Sequence, residues 1–263
     1  GWVTDIPVVF VIATNFSVHQ KYHLGLSVTR LASGMRRVDF SQPHRIRCLD
    51  MQNAHNPQTQ LPFVVGILLA AGFSRRFGQA DKLMQPLHDG TPVAMASVRN
   101  LLQALPRVVA VIRPENTVLH TALLSLGAHV AVCDADAPEM ADSLKLGIEV
   151  AHAQFPALSG YVLALADMPF IAPATMADVA AQLLADAQIV QPVFAGQRGH
   201  PVGFSSVYRS ELLAVSGDQG ARAVLKQHAA SVTLLPCADS GIVRDIDTPE
   251  DLRLAGSSRG EAG

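Results

Sequence analysis

The sequence predicts an α/β fold of three layers, in which helices cover both faces of an open, mostly parallel sheet. From residue 63 onward, short apolar runs alternate with segments of helical periodicity. The apolar runs are unbroken and rich in Val, Leu, Ile and Ala, which is typical of strands buried on both faces. Apolar residues make up 49% of the chain and charged residues only 16%, which is ample for one large core.

The predicted elements follow one another as strand and helix up to residue 192. Strands are predicted at 63–69, 108–112, 129–133, 161–166 and 189–192. Helices are predicted at 92–104, 116–126, 142–154 and 173–185, with Asp142 or its neighbour as N-cap of the third. This order favours an open sheet whose parallel strands are joined by right-handed crossovers.

The rest of the chain is less regular. Residues 194–204 contain three glycines and Pro201, which predicts a loop or an irregular hairpin. A helix is expected after Gly220, within 217–228, followed by a short strand at 232–235. Thr248, Pro249 and Glu250 are typical of a helix N-terminus, so a helix is predicted at 248–254.

Residues 1–60 carry no sustained periodicity, so we expect an N-terminal extension, irregular or disordered, ahead of a domain at 61–256 and a tail at 257–263. Residues 53–60 form a polar linker, and the domain is expected to start near Met51. The apolar run at 7–14 is too short to cross a bilayer, so no membrane partner is expected.

Net charge and cysteine content restrict the possible binding partners and the cellular compartment of the protein. A net charge of −2 gives no general attraction to nucleic acid or to an anionic membrane. Cys48, Cys133 and Cys237 are scattered and odd in number, which argues against a disulfide framework. These features favour a reducing, cytoplasmic location.

The strongest functional signal is residues 64–82, an apolar run that opens into a loop holding Gly72, Ser74, Arg75, Arg76 and Gly78, with Lys82 four residues later. Glycine lets the backbone approach a ligand, and successive free N–H groups form a concavity that binds anions. Arg adds a planar fork for phosphate oxygens, and Lys adds a compact charge. Residues 69–82 are therefore predicted to hold the triphosphate of a nucleotide.

Two other phosphate-binding loops do not match this stretch. A Walker loop needs Gly-x-x-x-x-Gly-Lys-Ser/Thr, but five residues separate Gly72 from Gly78, and Gln79 follows. A dinucleotide fingerprint needs a second glycine at position 74, where this chain has Ser74. An ordinary strand-to-helix turn that requires glycines remains the alternative.

Leu-Ala-Ala-Gly-Phe-Ser-Arg-Arg-Phe-Gly at 69–78, followed by Lys82, resembles the signature of nucleotidyltransferases with a Rossmann-like, GT-A-like fold. Within that group it is most similar to the molybdenum cofactor cytidylyltransferases, whereas the related guanylyltransferases usually have Gly in place of Ala71. The resemblance runs from about residue 63 to residue 254. It implies catalytic roles for Lys82 and Arg76 and nucleotide binding by Leu69, Ala70, Ala71, Gly72, Ser74, Arg75, Gly78 and Lys82.

Asp167 follows the apolar run at 162–166 and should lie at the carboxyl end of a buried strand, where ligands bind in open α/β sheets. Mg²⁺ takes hard oxygen ligands and often only one or two carboxylates, which suits Asp167. The alternative is an Asp that caps the following turn. Ala-Asp-Met-Pro at 166–169 resembles the metal-binding Asp-Met-Pro segment of the molybdopterin nucleotidyltransferases.

Asp245 and Asp247 are two further candidate metal ligands. In an extended segment, alternation puts both side chains on the same side. Asp247 followed by Thr248 is equally typical of a helix cap. The stretch resembles the Asp-x-Asp-Thr-Pro-Glu-Asp-Leu segment of the cytidylyltransferases.

Other segments resemble the base, ribose and acceptor contacts of the same family. Ser143, within Met-Ala-Asp-Ser-Leu-Lys at 140–145, is expected near the nucleotide, with simple N-capping as the alternative. The family match implies acceptor binding by Gly199, His200, Pro201, Asp218, Gly220 and Arg222. A lone loop histidine is more often structural, and the glycines at 217 and 220 would equally suit a turn before a surface helix.

Together these features predict Mg²⁺-dependent transfer of CMP from CTP to the molybdenum–molybdopterin cofactor, with release of pyrophosphate. Asp167, with Asp245 or Asp247, would hold the metal, and Arg75 or Arg76 with the loop N–H groups would hold pyrophosphate. The open alternatives are a guanylyltransferase, a methylerythritol phosphate cytidylyltransferase, and a non-catalytic carrier that delivers the cofactor to a recipient molybdoenzyme. An oxidoreductase is the least favoured class because the dinucleotide fingerprint is absent.

Overall fold

The computed structural model describes residues 62–72, 81–134 and 139–257, and the backbone alone of 27–30, 36–39 and 255–257. The chain divides into two units, 1–56 and 57–263. In the first unit, strand β1 (Ser27–Arg30) pairs antiparallel with β2 (Arg36–Asp39). The rest of the predicted extension, and residues 258–263 of the predicted tail, lie outside the described residues.

The second unit alternates strands and helices, as the apolar runs predicted. Its strands are β3 (Val64–Ala70), β4 (Val108–Ile112), β5 (His129–Val132), β6 (Gly160–Leu165), β7 (Ile189–Phe194), β8 (Gln197–Arg198), β9 (Val202–Ser205) and β10 (Val232–Pro236). Its helices are α1 (Val93–Ala104), α2 (Thr117–Ser125), α3 (Met140–Gln154), α4 (Pro173–Leu184), α5 (Arg209–Ala214), α6 (Arg222–Gln227) and α7 (Pro249–Ser257).

The strands of the main sheet lie in the order β10-β7-β9-β6-β3-β4-β5, and β8 pairs with β7 at its side. All pairs along this path are parallel except those of β9, which runs antiparallel to both β6 and β7. The predicted α/β class with an open, mostly parallel sheet is therefore confirmed.

Two apolar layers cover the sheet. Along β3, Val64 and Leu68 face a core shared with α1, α2 and α4, whereas Val65 and Ile67 face a core shared with α3 and α5. The period of two along a strand sends successive side chains to opposite faces, so an unbroken apolar run supplies both cores. In the part of the chain that is described, no helix is long and apolar enough to cross a membrane.

The prediction of a loop or irregular hairpin at 194–204 is wrong for its last part, because residues from Val202 onward form the strand β9 of the main sheet. The prediction interpreted two glycines, Gly199 and Gly203, as loop residues. A Cβ on Gly203 would lie 2.8 Å from Val179 Cγ1 of α4, and one on Gly199 would lie 2.2 Å from the Ile242 carbonyl oxygen. Both glycines therefore serve close packing rather than a turn.

Candidate active site

The site is built where β3 and its parallel neighbour β6 end. Leu69 of β3 pairs with Leu165 of β6, and the N–H of Ala166 donates to the Leu69 carbonyl at 3.1 Å. Strand β3 continues into Ala71 and Gly72, while Asp167 lies two residues after the end of β6. Asp167 therefore lies beside the start of the glycine-bearing loop, at the edge of the sheet where α/β proteins bind ligands.

Three charged side chains meet at this edge. Lys82 Nζ donates to Asp167 Oδ2 at 2.8 Å and to Asp247 Oδ1 at 2.9 Å. Burial alone would lower the pKa of Lys82, but the charges and hydrogen bonds of the two carboxylates outweigh it and raise that pKa above its ordinary value. Lys82 therefore stays an ammonium between two carboxylates.

One carboxylate oxygen of this trio is left over. Asp167 Oδ1 is buried and has no hydrogen-bond partner among the described residues. A buried carboxylate oxygen is costly unless it is paired or binds a cation. The described residues contain no group of three or more His, Cys, Asp or Glu side chains placed to hold a metal. Two carboxylates fit Mg²⁺, which completes its octahedron with water and phosphate oxygens.

The two candidate second ligands lie differently. Asp247 shares Lys82 with Asp167, whereas Asp245 lines a neighbouring cavity together with His200 and Arg222. Although solvent reaches Asp245, partial burial and then the negative charges of Asp247 and Asp167 raise its pKa. The geometry therefore pairs Asp247, rather than Asp245, with Asp167.

Helix α1 supports the turn that carries Asp167. The buried Ser97 hydroxyl donates to the Ala166 carbonyl at 2.8 Å, and Asn100 Nδ2 donates to the carbonyls of Pro169 and Ile171 at 3.0 and 3.1 Å. Sequence reasoning missed these two residues. The available signal was two polar residues three apart within an otherwise apolar helix face.

A cavity of about 330 Å³ opens between the ends of β3 and β6 and the start of α3. Its lining contains nine of the predicted residues: Leu69, Ala70, Ala71, Gly72, Lys82, Ser143, Asp167, Asp218 and Asp247. The other predicted loop residues, Ser74, Arg75, Arg76 and Gly78, lie outside the described residues.

Helix α3 begins earlier than predicted. Its N-cap is Glu139, not Asp142 or a neighbour, and the Glu139 N–H donates to Asp142 Oδ2 at 3.3 Å. Ser143 therefore lies within the helix and is buried, with its hydroxyl 3.8 Å from Cys133 Sγ. The prediction was wrong because Asp142, an acidic residue of the first helical turn, was assigned as the N-cap. Glu139 also accepts a 2.7 Å hydrogen bond from the N–H of Gly217, which fixes the turn that carries Asp218.

A second cavity, of about 500 Å³, adjoins the first and shares Leu69, Met140, Leu165 and Asp218 with it. Of the predicted acceptor residues, its lining contains Gly199, His200, Asp218 and Arg222. Pro201 and Gly220 do not line it. Gly220 is instead buried against Met140, with φ of +48°, a conformation that favours glycine. Gln191 and Arg198 add polar groups that sequence reasoning missed.

His200 points an unpaired nitrogen into the protein. The ring Nδ1 is buried without a partner among the described residues, whereas the backbone N–H of His200 donates to the Ile242 carbonyl at 2.9 Å. Burial lowers the pKa of His200, and the nearby Asp167 carboxylate opposes that shift only in part. A neutral imidazole can hydrogen-bond an acceptor without adding charge.

Comparisons with protein families and with known proteins identify relatives of this chain. The model of the MobA-like NTP transferase domain matches residues 66–232. The chain is 32% identical to the purine catabolism protein PucB of Bacillus subtilis (strain 168), over 72% of this chain and 94% of PucB. It is 29% identical to nicotine blue oxidoreductase of Paenarthrobacter nicotinovorans, over 74% of this chain and 97% of that protein.

A solved structure, Rv0371c from Mycobacterium tuberculosis H37Rv, superposes with a TM-score of 0.65 at 28% identity, over 76% of this chain and 100% of that chain. Its complex with manganese gives a TM-score of 0.62 at 27% identity, over 74% of this chain and 99% of that one. The family model covers well over half of the chain and includes the ends of both β3 and β6. The chain therefore belongs to the MobA-like NTP transferase family.

Proposed function

We propose that this protein is a cytidylyltransferase that transfers CMP from CTP to the molybdenum–molybdopterin cofactor and releases pyrophosphate. The observation that carries the proposal is the meeting of Lys82, Asp167 and Asp247 beside the Leu69–Gly72 backbone, in the lining of a cavity that adjoins a second one. The first cavity, which these three charges line, suits a nucleotide, and the adjoining cavity suits an acceptor.

The chemistry needs positioned charge more than an acid or a base. A phosphate oxygen of the acceptor attacks the α-phosphorus of CTP, a new P–O–P bond forms, and the bond to the β-phosphate oxygen breaks. Negative charge spreads over the α-phosphate oxygens and onto the departing pyrophosphate. Lys82 stabilises that charge, and the backbone N–H groups after β3, with Arg75 or Arg76, hold the leaving group.

The metal proposed for this site is Mg²⁺, held by Asp167 and Asp247 and completed by water and phosphate. When bound, it supplies charge neutralisation at the α-phosphate. The buried Asp167 Oδ1 that lacks a partner among the described residues supports this assignment. A relative, Rv0371c, forms a complex with manganese, which supports divalent metal use in this family.

The choice of CTP rests on the resemblance of residues 69–78 to the cytidylyltransferases, in particular on Ala71. The two cysteines within the described residues, Cys133 and Cys237, are both free thiols, which supports a cytoplasmic site of action. A recipient molybdoenzyme is the expected destination of the product.

The test is pyrophosphate release measured with each of the four nucleoside triphosphates and the molybdopterin cofactor. We expect release with CTP, dependence on Mg²⁺, and loss of release in Asp167→Ala with a melting temperature close to that of wild type. Release with GTP alone would identify a guanylyltransferase, and turnover of methylerythritol phosphate would identify the third acceptor class.

Two further outcomes would replace the proposal. Binding of the cofactor without pyrophosphate release would favour a carrier. One relative is named an oxidoreductase, so a fluorescence titration with NADH and NADPH belongs in the same series. Saturable binding there, with no triphosphate turnover, would favour redox chemistry.

A further inference from the structure

The two proposed metal ligands lie on segments that are far apart in the sequence, and the Asp239 side chain hydrogen-bonds to both segments. Asp239 is half-buried. Its Oδ2 accepts hydrogen bonds from the Ala172 N–H at 2.8 Å and the Thr175 hydroxyl at 2.7 Å, at the start of α4. Its Oδ1 accepts one from the Gly241 N–H at 2.9 Å. One carboxylate therefore joins the segment after Asp167 to the segment before Asp247.

The contact between the two segments continues from Asp239 towards the site. A Cβ on Gly241 would lie 2.1 Å from the Phe170 carbonyl oxygen, so the two backbones touch there. The Arg244 guanidinium lies 4.7 Å from the centre of the Phe170 ring. The Ile246 N–H then donates to the Asp167 carbonyl at 2.9 Å, directly beside both candidate ligands.

We propose that Asp239 is a positioning residue that sets the separation of the Asp167 and Asp247 carboxylates and so determines the affinity of the site for a divalent cation. Asp239 lines neither cavity of the site, so we expect it to act through the two segments that it joins. A metal site tolerates errors of only about 0.2 Å in its ligand distances. A carboxylate with three donors on two segments is suited to hold that distance. This inference rests on the metal role proposed above for Asp167 and Asp247.

The test uses the full chain and Mn²⁺ alone, with free Mn²⁺ measured by electron paramagnetic resonance. Asp239→Asn replaces one acceptor oxygen by a donor and should weaken Mn²⁺ binding by about tenfold or more, as changes behind metal ligands do. Thr175→Val removes only one of the three hydrogen bonds and should weaken binding less. It also keeps the proposal testable if Asp239→Asn does not fold.

Two controls separate positioning from general damage. Asp186→Asn makes the same charge change in an exposed residue just beyond the other end of α4. Leu123→Ala opens a cavity at a fully buried residue of α2 and lowers stability by about 2–5 kcal/mol. Both controls should bind Mn²⁺ as wild type does while they remain folded.

Amide hydrogen exchange at Ile246 gives a second readout, because that N–H bridges the two segments. We expect faster exchange there in Asp239→Asn and unchanged exchange in Asp186→Asn. Wild-type Mn²⁺ affinity in Asp239→Asn would overturn the inference and leave the proposed function intact. Weakened Mn²⁺ binding in a protein that releases no pyrophosphate would sustain the inference and remove the proposed function. A wild-type protein that binds no Mn²⁺ would overturn both.

Discussion

At the scale of single residues, Lys82 determines the electrostatics of the site. Its ammonium lies within hydrogen-bond distance of two carboxylates that would otherwise repel each other. The same two carboxylates are those proposed to hold Mg²⁺. We therefore expect Lys82 and the metal ion to compete for Asp167 and Asp247, and we expect nucleotide binding to give the displaced ammonium a new partner in the phosphates.

Replacing Lys82 by Met should separate its competition with the metal ion from its stabilisation of phosphate charge. Without the ammonium, Mn²⁺ alone should bind more tightly, by about threefold or more, because a positive charge beside the ligands is gone. Nucleotide transfer should nevertheless fall by about 10²–10³-fold, since the charge that develops on phosphate loses a donor. Titration with Mn²⁺ and a pyrophosphate-release assay measure the two effects.

Lys226→Met is the matched control for the Lys82 variant. It removes a lysine that is exposed in α6 and lines neither cavity of the site, so both readouts should stay at wild-type levels. Weaker Mn²⁺ binding in Lys82→Met would contradict the competition.

A second residue-scale prediction concerns His152, which is hydrogen-bonded to the Tyr161 hydroxyl on the α3 side of the sheet. Burial, and then the charge of Arg209, lowers the pKa of His152, while burial raises the pKa of Tyr161. The unfolded chain therefore binds more protons than the folded one below about pH 6.5, so stability falls as the pH decreases through that range.

His152→Gln keeps an acceptor for the Tyr161 hydroxyl but removes the titrating ring. The free energy of unfolding, measured by urea denaturation at pH 7.5 and pH 5.5, should therefore fall less on acidification than it does in wild type. Tyr161→Phe retains the histidine and its burial, so it should keep the wild-type direction of the pH dependence. An equally steep loss in His152→Gln would rule out His152 as the source.

At the scale of elements, the sequence predicted most of the sheet but not how its middle is assembled. The strand at 108–112 has its predicted bounds, and the helix at 173–185 ends within one residue of α4. These two elements were predictable because both are buried in the core, and hydrophobic periodicity and apolar runs in a sequence indicate burial. Strand β9 was missed because its glycine is required by the approach of α4, and no local pattern carries that information.

The candidate site likewise contains residues that the sequence predicted and residues that it did not. Residues after the ends of strands could be predicted, because a buried strand that ends in a charge is visible locally. Ser97, Asn100 and Asp239 hydrogen-bond to groups 64–71 residues away in the chain, and no spacing rule reaches so far. Polar residues that support a site from behind are therefore harder to predict from the sequence than residues that line it.

Helix α3 allows an element-scale prediction. A Cβ on Gly147 would lie 2.8 Å from Ile67 Cγ2 and 3.0 Å from Val111 Cγ2, on strands whose β-branched side chains cannot rotate away. Gly147→Ala gains about 1 kcal/mol of helix propensity but loses about 1–3 kcal/mol to overpacking, so it should destabilise the protein. It should also raise KM for CTP, because Met140 and Ser143 of α3 line the nucleotide cavity.

A double-mutant cycle identifies the cause. In the Ile67→Ala background the nearer of the two methyl groups is gone, so Gly147→Ala should lower the free energy of unfolding, measured by urea denaturation, less than it does in wild type. Equal costs in both backgrounds would mean that the close approach of α3 to β3 is not responsible.

At the scale of the whole molecule, every residue of the two cavities comes from one part of the chain, between Leu69 and Asp247. The family model lies within 66–232, inside the unit formed by residues 57–263. Every residue that lines the two cavities therefore lies within the predicted domain at 61–256.

A shortened protein of residues 57–263 should consequently keep the proposed activity. We expect its rate of pyrophosphate release within about twofold of the full chain and its melting temperature within about 2 °C, the shift that about 0.5 kcal/mol produces in a protein of this size. A second truncation that begins at residue 71 removes β3, the central strand that pairs with both β4 and β6, and should not fold. Loss of activity in residues 57–263 with an unchanged melting temperature would show that the first unit contributes to the site, and the domain boundary would have to move upstream.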